Sequence, residues 1–220
     1  MAIDDPQTLV STTWLADHLY DPDLRILDAS WYLPDIQRDP KAEYDLEHIP
    51  GARFFDIDEI SDHSSDLPHM VPPVEKFISR IREMGVGDGH QIVVYDGAGL
   101  FSSARVWWLF KLMGHNDIAV LDGGFPKWKA ENHPIEDIKP FIRDRHIMAR
   151  RQNHLIKDVT QVASASKLGN YEIIDARSSQ RFRGEVSEPR EGLRLGHIPG
   201  SKNVFFKTVY GGFDISKVLP

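Results

Sequence analysis

The sequence predicts an α/β fold with a mainly parallel sheet, on two observations. Short apolar runs alternate with helical patterns along the first 130 or so residues, and the opening set of segments is written a second time near the C-terminus. In chain order, "LVSTTWLADHL" reads as a short helix N-capped by Ser11, and "LRILDAS" (24–30) as a buried strand ending in Asp28. An irregular polar segment leads to the "HIPG" turn (48–51) and a short apolar strand. After Pro72-Pro73, "VEKFISRIREMG" has the pattern of an amphipathic helix closing on Gly85. "QIVVYDG" is an apolar run of the length of a buried parallel strand, and it enters the loop "DGAGLFSS" at Asp96. A helix over "SARVWWLFKLMG", a strand in "IAVLDGG" and a short helix around "FPKWKAEN" complete the unit. The charged stretch 133–152, with Pro134 and Pro140, reads as a linker.

The repetition fixes the domain organisation. Aligning His48 with His197, an offset of 149 residues, also pairs "LRILDAS" with "YEIIDAR", Asp28 with Asp175, and Ser11 with Asp158 as N-caps. In each turn Pro sets φ for one position and Gly permits φ > 0 at the next, as a type II turn requires. Each histidine is expected to hydrogen-bond across its turn to the strand-end Asp of its own copy. The expected boundaries are a first domain at 1–132, a linker at 133–152 and a partial second domain at 153–220. By the same offset, the counterpart of Asp96 falls near position 245, outside these 220 residues. The second copy is therefore expected to be a truncated domain, weakly stable or leaning on the first.

Composition narrows the function. A formal charge of −7 argues against a general nucleic-acid binder, and no apolar run approaches a membrane span. The start "MAIDDPQT" resembles neither a secretory signal nor an Arg-rich transit peptide, so a cytoplasmic location is the default. There is no cysteine, which excludes disulfides, thiolate metal sites and a cysteine nucleophile within these residues. The ten histidines form no HxxxH-type pair, so no metal site is expected.

The segments "DAS…YDLEHIPGARFFDIDEISD", "DLPHM", "VVYDG…SSARVWWLFKLMGH", "LDGGFPKW" and "DARSSQRFRG…EPREG…GHIPG" together resemble the tandem-domain rhodanese superfamily, specifically the 3-mercaptopyruvate sulfurtransferases. The resemblance implies two rhodanese-like α/β domains, the first catalytically silent. In the second domain a loop cysteine takes sulfur from 3-mercaptopyruvate as a persulfide and releases pyruvate. The sulfur then passes to a thiol, a thioredoxin-like protein or cyanide, and the resemblance implies no metal or organic cofactor. The resemblance further implies substrate-binding roles for Arg181 and Arg190, nine residues apart, and an assisting proton-transfer role for Asp58 and His69 across the domain cleft. An arginine fork suits a small α-keto acid carboxylate, and an imidazole held by a carboxylate suits acid–base work near neutral pH. The arginines also read as solvated loop residues and the Asp–His pair as an ordinary loop; Asp96 reads as a loop cap.

Other classes fit less well. A phosphatase built on Asp96 needs a second acid two positions on, where the chain has Ala98, and "GAGLFS" breaks the dinucleotide-binding pattern at its third glycine. Two alternatives stay open: thiosulfate as the sulfur donor, and a non-enzymatic module that binds anions or a partner protein. On either reading the 220 residues alone are expected to be inactive.

Overall fold

Two-fold alternation along the central strands sets the architecture. In β4 (Gln91–Tyr95), Ile92 and Val94 face one hydrophobic layer while Val93 and Tyr95 face another. In β5 (Ile118–Leu121) the same split separates Ile118 and Val120 from Ala119 and Leu121. Strands buried on both faces are those of a parallel sheet covered by helices on each side. With β1 (Leu9–Val10), β2 (Leu24–Asp28) and β3 (Arg53–Phe54) they form one five-stranded sheet, order β1-β5-β4-β2-β3, every pairing parallel. The computed structural model describes residues 4–190 and 192–209 and divides into two units, Met1–Leu155 and Ile156–Pro220.

In the first unit, α3 (Val74–Glu83) and α4 (Ser103–Leu112) cover one face through Phe77, Ile81, Leu109 and Phe110. The other face receives α1 (Thr12–His18), α2 (Pro40–Leu46) and α5 (Gly124–Ala130) through Leu15, Tyr44 and Trp128. Each such fully buried side chain contributes about 1.5–3 kcal/mol of transfer free energy. Ser11 caps α1 as expected, its hydroxyl accepting from Trp14 N–H at 3.1 Å. Two arginines close α3 at its C-terminal end, where unpaired carbonyls and the helix dipole favour cations. Arg53 Nε donates to Met84 O at 2.7 Å and Arg25 Nε to Gly85 O at 3.2 Å.

The segment read as irregular contains α2. Asp39 caps it, accepting from Lys41 and Ala42 N–H at 3.0 Å each, and Pro40 occupies the first turn, where its missing N–H costs nothing. The stretch 133–152 has neither helix nor strand and is strapped to the first unit. His48 and Glu136 exchange backbone bonds of 2.8 and 2.9 Å, Arg150 N–H donates to Met113 O at 2.8 Å, and Ile147 is buried.

Both "HIPG" segments fold as type II turns. Ala52 N–H donates to Ile49 O at 2.9 Å with Gly51 at φ 74°, and Ser201 N–H donates to Ile198 O at 3.0 Å with Gly200 at φ 82°. The expected His-to-Asp bonds are absent. His48 Nδ1 lies 2.7 Å from Tyr44 O with its ring stacked on Tyr44, and His197 Nδ1 lies 2.8 Å from Phe182 O with its ring stacked on Phe182. The reason is local: Tyr44 and Phe182 sit in the last turns of α2 and α7 (Ser179–Arg183), whose end carbonyls need donors. Each histidine therefore caps a helix.

The second unit contains α6 (Val159–Leu168), β6 (Ile174–Asp175), α7, β7 (Lys202–Asn203) parallel to β6, and α8 (Phe206–Val209). Asp158 caps α6 in a reciprocal capping box with Gln161. The buried strand expected here is not buried: Ile174 remains 39% exposed, and Val204 is the one buried apolar side chain among the unit's described residues. Two strands with helices this short cannot enclose a core.

Asp28, freed from its expected partner, accepts from Ser30 N–H at 2.9 Å and is buried. Burial pushes its carboxyl up to about 6, and neighbouring Asp96 adds to the rise. A carboxyl raised in the fold contributes stability below its unfolded pKa of 3.8, and this is lost as pH rises through about 6. Relative to the wild-type chain, Asp28→Asn is therefore expected to gain about 3 kcal/mol between pH 4 and pH 7, two pKa units at about 1.4 kcal/mol each. Urea denaturation across that range measures it; parallel pH profiles for the two chains would refute it.

Candidate functional site

In the first unit, the loop between β4 and α4 is organised around one carboxylate. Asp96 Oδ1 accepts from the N–H groups of Ala98 and Gly99, both at 2.9 Å. Its Oδ2 accepts from Phe101 N–H at 2.7 Å, Ser103 N–H at 2.9 Å and Ser103 Oγ at 2.7 Å. Successive amides at a helix start form an anion-binding nest, and here the chain supplies its own anion. Asp96 is 1% exposed, so the nest is filled and closed to solvent. Its loop-capping reading is the one the geometry supports.

Beside this loop lies a cleft of about 340 Å³ lined by Asp58, Asp62, His63 and His69, among others. The sequence-predicted pair meets there: His69 Nε2 is 2.7 Å from Asp58 Oδ1. Trp31 Nε1 donates to the second oxygen, Asp58 Oδ2, at 3.2 Å, and the Trp31 ring meets the imidazole edge-on at 4.9 Å. With a carboxylate on Nε2, the proton sits on that nitrogen, and Nδ1 has no hydrogen bond among the described residues. His69 has φ 57°, a left-handed backbone that a residue with a Cβ rarely adopts. Sequence reasoning left out Trp31 and read His63 as solvated, with no role; His63 Nε2 lies 2.9 Å from Asp58 O. Nothing in the local sequence signals the Trp31 contact, made across 27 residues.

In the second unit, Arg181 is held rather than free. Its Nε donates to Glu188 Oε2 at 3.1 Å and its Nη2 to the same oxygen, while Arg177 Nη1 donates to Glu188 Oε1 at 2.7 Å. Arg177 also pairs with Asp175 at 2.5 Å. The Arg181 hydrogen bond holds the Glu188 carboxyl below its ordinary value. Arg190 is exposed and has no partner among the described residues. Glu188, in "EPREG", joins Arg177 and Arg181, a contact that sequence reasoning missed. No group of three or more His, Asp or Glu side chains able to hold a metal occurs among the described residues, and none of their helices is long and apolar enough to cross a membrane.

Comparison with known proteins gives consistent matches. The rhodanese-like domain family model matches residues 11–131. The thiosulfate/3-mercaptopyruvate sulfurtransferase 1, mitochondrial, of Arabidopsis thaliana is 41% identical over 95% of this chain and 61% of its own length. The 3-mercaptopyruvate sulfurtransferase of Rattus norvegicus is 41% identical over 91% of this chain and 69% of its own. The crystal structure of SseA from Escherichia coli, 39% identical, superposes with a TM-score of 0.81 over 90% of this chain and 74% of that one. The chain thus spans between three-fifths and three-quarters of these relatives.

The filled nest makes a stability prediction. Replacing Asp96 with Ala strands four loop amides that each bond a charged acceptor, at about 1.5–3 kcal/mol per bond. A loss of more than about 3 kcal/mol in urea denaturation is expected even if water reaches half of them. A loss under about 1 kcal/mol would show that the loop is not built on this carboxylate.

Proposed function

This chain belongs to the rhodanese family, among the relatives of the 3-mercaptopyruvate sulfurtransferases, and on that premise we propose that the full-length protein transfers sulfur from 3-mercaptopyruvate to a thiol, thioredoxin-like or cyanide acceptor. The observation that carries the reading is 41% identity, over 91% of the chain, to a protein named for that activity. In the proposed reaction a cysteine thiolate attacks the substrate sulfur, an S–S bond forms, and the C–S bond breaks. Pyruvate leaves as its enolate, which must gain a proton at carbon. His69, held by Asp58, would manage that proton. Arg181 and Arg190 would bind the substrate carboxylate, Arg181 pre-oriented by Glu188 and Arg190 contributing an exposed charge.

The cysteine is not among these 220 residues, so a polypeptide of this sequence alone would not turn over. We read residues 153–220 as part of a second copy of the first domain, which 133–152 joins to it. Cytoplasmic placement belongs to the same reading, although one relative is named as mitochondrial. Thiosulfate is the alternative donor, named together with 3-mercaptopyruvate in that relative. The absence of cysteine also favours a second reading, a non-catalytic module that binds anions or a partner protein.

Two measurements test these assignments. Pyruvate release from 3-mercaptopyruvate should stay at background for the 220-residue chain and appear for the full product of its gene; a full product without activity would favour the binding module. In that full product, Arg181→Ala and Arg190→Ala should each lose about 1.5–3 kcal/mol of transition-state binding, roughly 10- to 150-fold in kcat/KM. Unchanged kcat/KM in both variants would remove the assignment.

A further inference from the structure

Arg105 reaches the Asp58–His69 pair from α4. It lies in the first turn of α4, only partly exposed, and burial lowers its pKa from the ordinary arginine value, with Asp58 the one acid opposing that shift. Among the described residues it makes no ion pair with a carboxylate. Its one side-chain hydrogen bond among the described residues runs from Nη2 to the backbone carbonyl of His69. Burying a guanidinium to hold one neutral carbonyl is costly unless that carbonyl must be held.

His69 gives the reason. At φ 57° its backbone is strained, and strain of this kind persists only where surrounding contacts over-determine it. The imidazole must face Asp58 Oδ1 while the preceding chain passes through Pro68. The arginine's own position is fixed in turn. Two residues before it, Ser103 donates both N–H and Oγ to Asp96, and Ser102 Oγ donates to Ala29 O at 2.7 Å, two residues before Trp31. The start of α4 is thus tied to the filled nest, to the strand end that leads to Trp31, and through Arg105 to His69.

We propose that Arg105 is a positioning residue, which pins His69 in its left-handed conformation and so presents the imidazole to Asp58. The assignment rests on the acid–base reading of His69 given above. It also connects the filled nest to the pair, because the Asp96 carboxylate sets the start of α4, and α4 carries the arginine that shapes His69.

The test uses the 220-residue chain and NMR, since no turnover is needed. The readouts are the His69 Nε2–H proton resonance, protected by its bond to Asp58, and the His69 Cα shift that reports the left-handed backbone. Arg105→Met, which keeps the packed stem but has no donor, should lose both signals, with amide dispersion elsewhere unchanged. Arg105→Lys, which can still reach the carbonyl, should retain them. Should the Met variant not fold, Arg105→Gln takes its place, because its amide stops short of the carbonyl and the same loss is expected. Asp58→Ala, which removes the acceptor, separates the two claims. If Asp58→Ala abolishes the protected Nε2–H but Arg105→Met does not, the positioning role is overturned and the pair stands. If Asp58→Ala leaves that resonance unchanged, the Asp58–His69 pair itself is wrong.

Discussion

The first unit depends on a charge held inside its own loop. Asp96 ends β4 where β2 and β4 lie side by side, and its carboxylate collects four amides and a hydroxyl from residues 98–103. In open parallel sheets this is the place, beyond the strand ends where the winding reverses, at which ligands usually bind. An internal anion there does two things at once. It satisfies donors that would otherwise be buried unpaired, and it denies the nest to any external anion. The loop is therefore a scaffold by construction, and chemistry in this unit has to be sought beside it.

Charge at the neighbouring strand end obeys the same logic with a different result. Asp28 lies opposite Tyr95 in the register, one residue from Asp96, but receives fewer donors, and desolvation raises its pKa. Two buried carboxyls at adjacent strand ends thus have unequal environments: one is wrapped by amides, the other drawn toward its neutral form. The difference lies in the loop and not in the residue type.

Much of this fold was legible because it depends on short-range patterning. The apolar runs of β2, β4 and β5, the caps at Ser11 and Asp158, and the Pro-Gly turns are all signals read within a few residues, and each appears where its physics puts it. α2 was legible too, in Asp39-Pro40, but a polar helix of seven residues is easily passed over. What could not be read is pairing over distance. The partners of His48 depend on the end of that same weakly marked helix, and Trp31, Arg105 and Glu188 act through contacts whose only sequence trace is their presence. The Asp58–His69 pair came from family resemblance, since neither residue's neighbours announce the other, while the left-handed turn that aims His69 left no sequence signal.

The arginines of the second unit show why residue type alone does not give a role. Arg177 and Arg181 are matched by Asp175 and Glu188, so the cluster is close to neutral and would attract an anion weakly from a distance. What it supplies is geometry: Glu188, its side chain 3% exposed, takes Nε and Nη2 of Arg181 and fixes the plane of the guanidinium, leaving Nη1 without a partner among the described residues. Arg190, exposed and unmatched by any described acid, supplies the net charge. If both meet one carboxylate, as proposed, attraction and orientation are divided between them. A fork already held in place loses less side-chain entropy on binding than a free one, which is the physical advantage of keeping an acid beside a residue meant for acids.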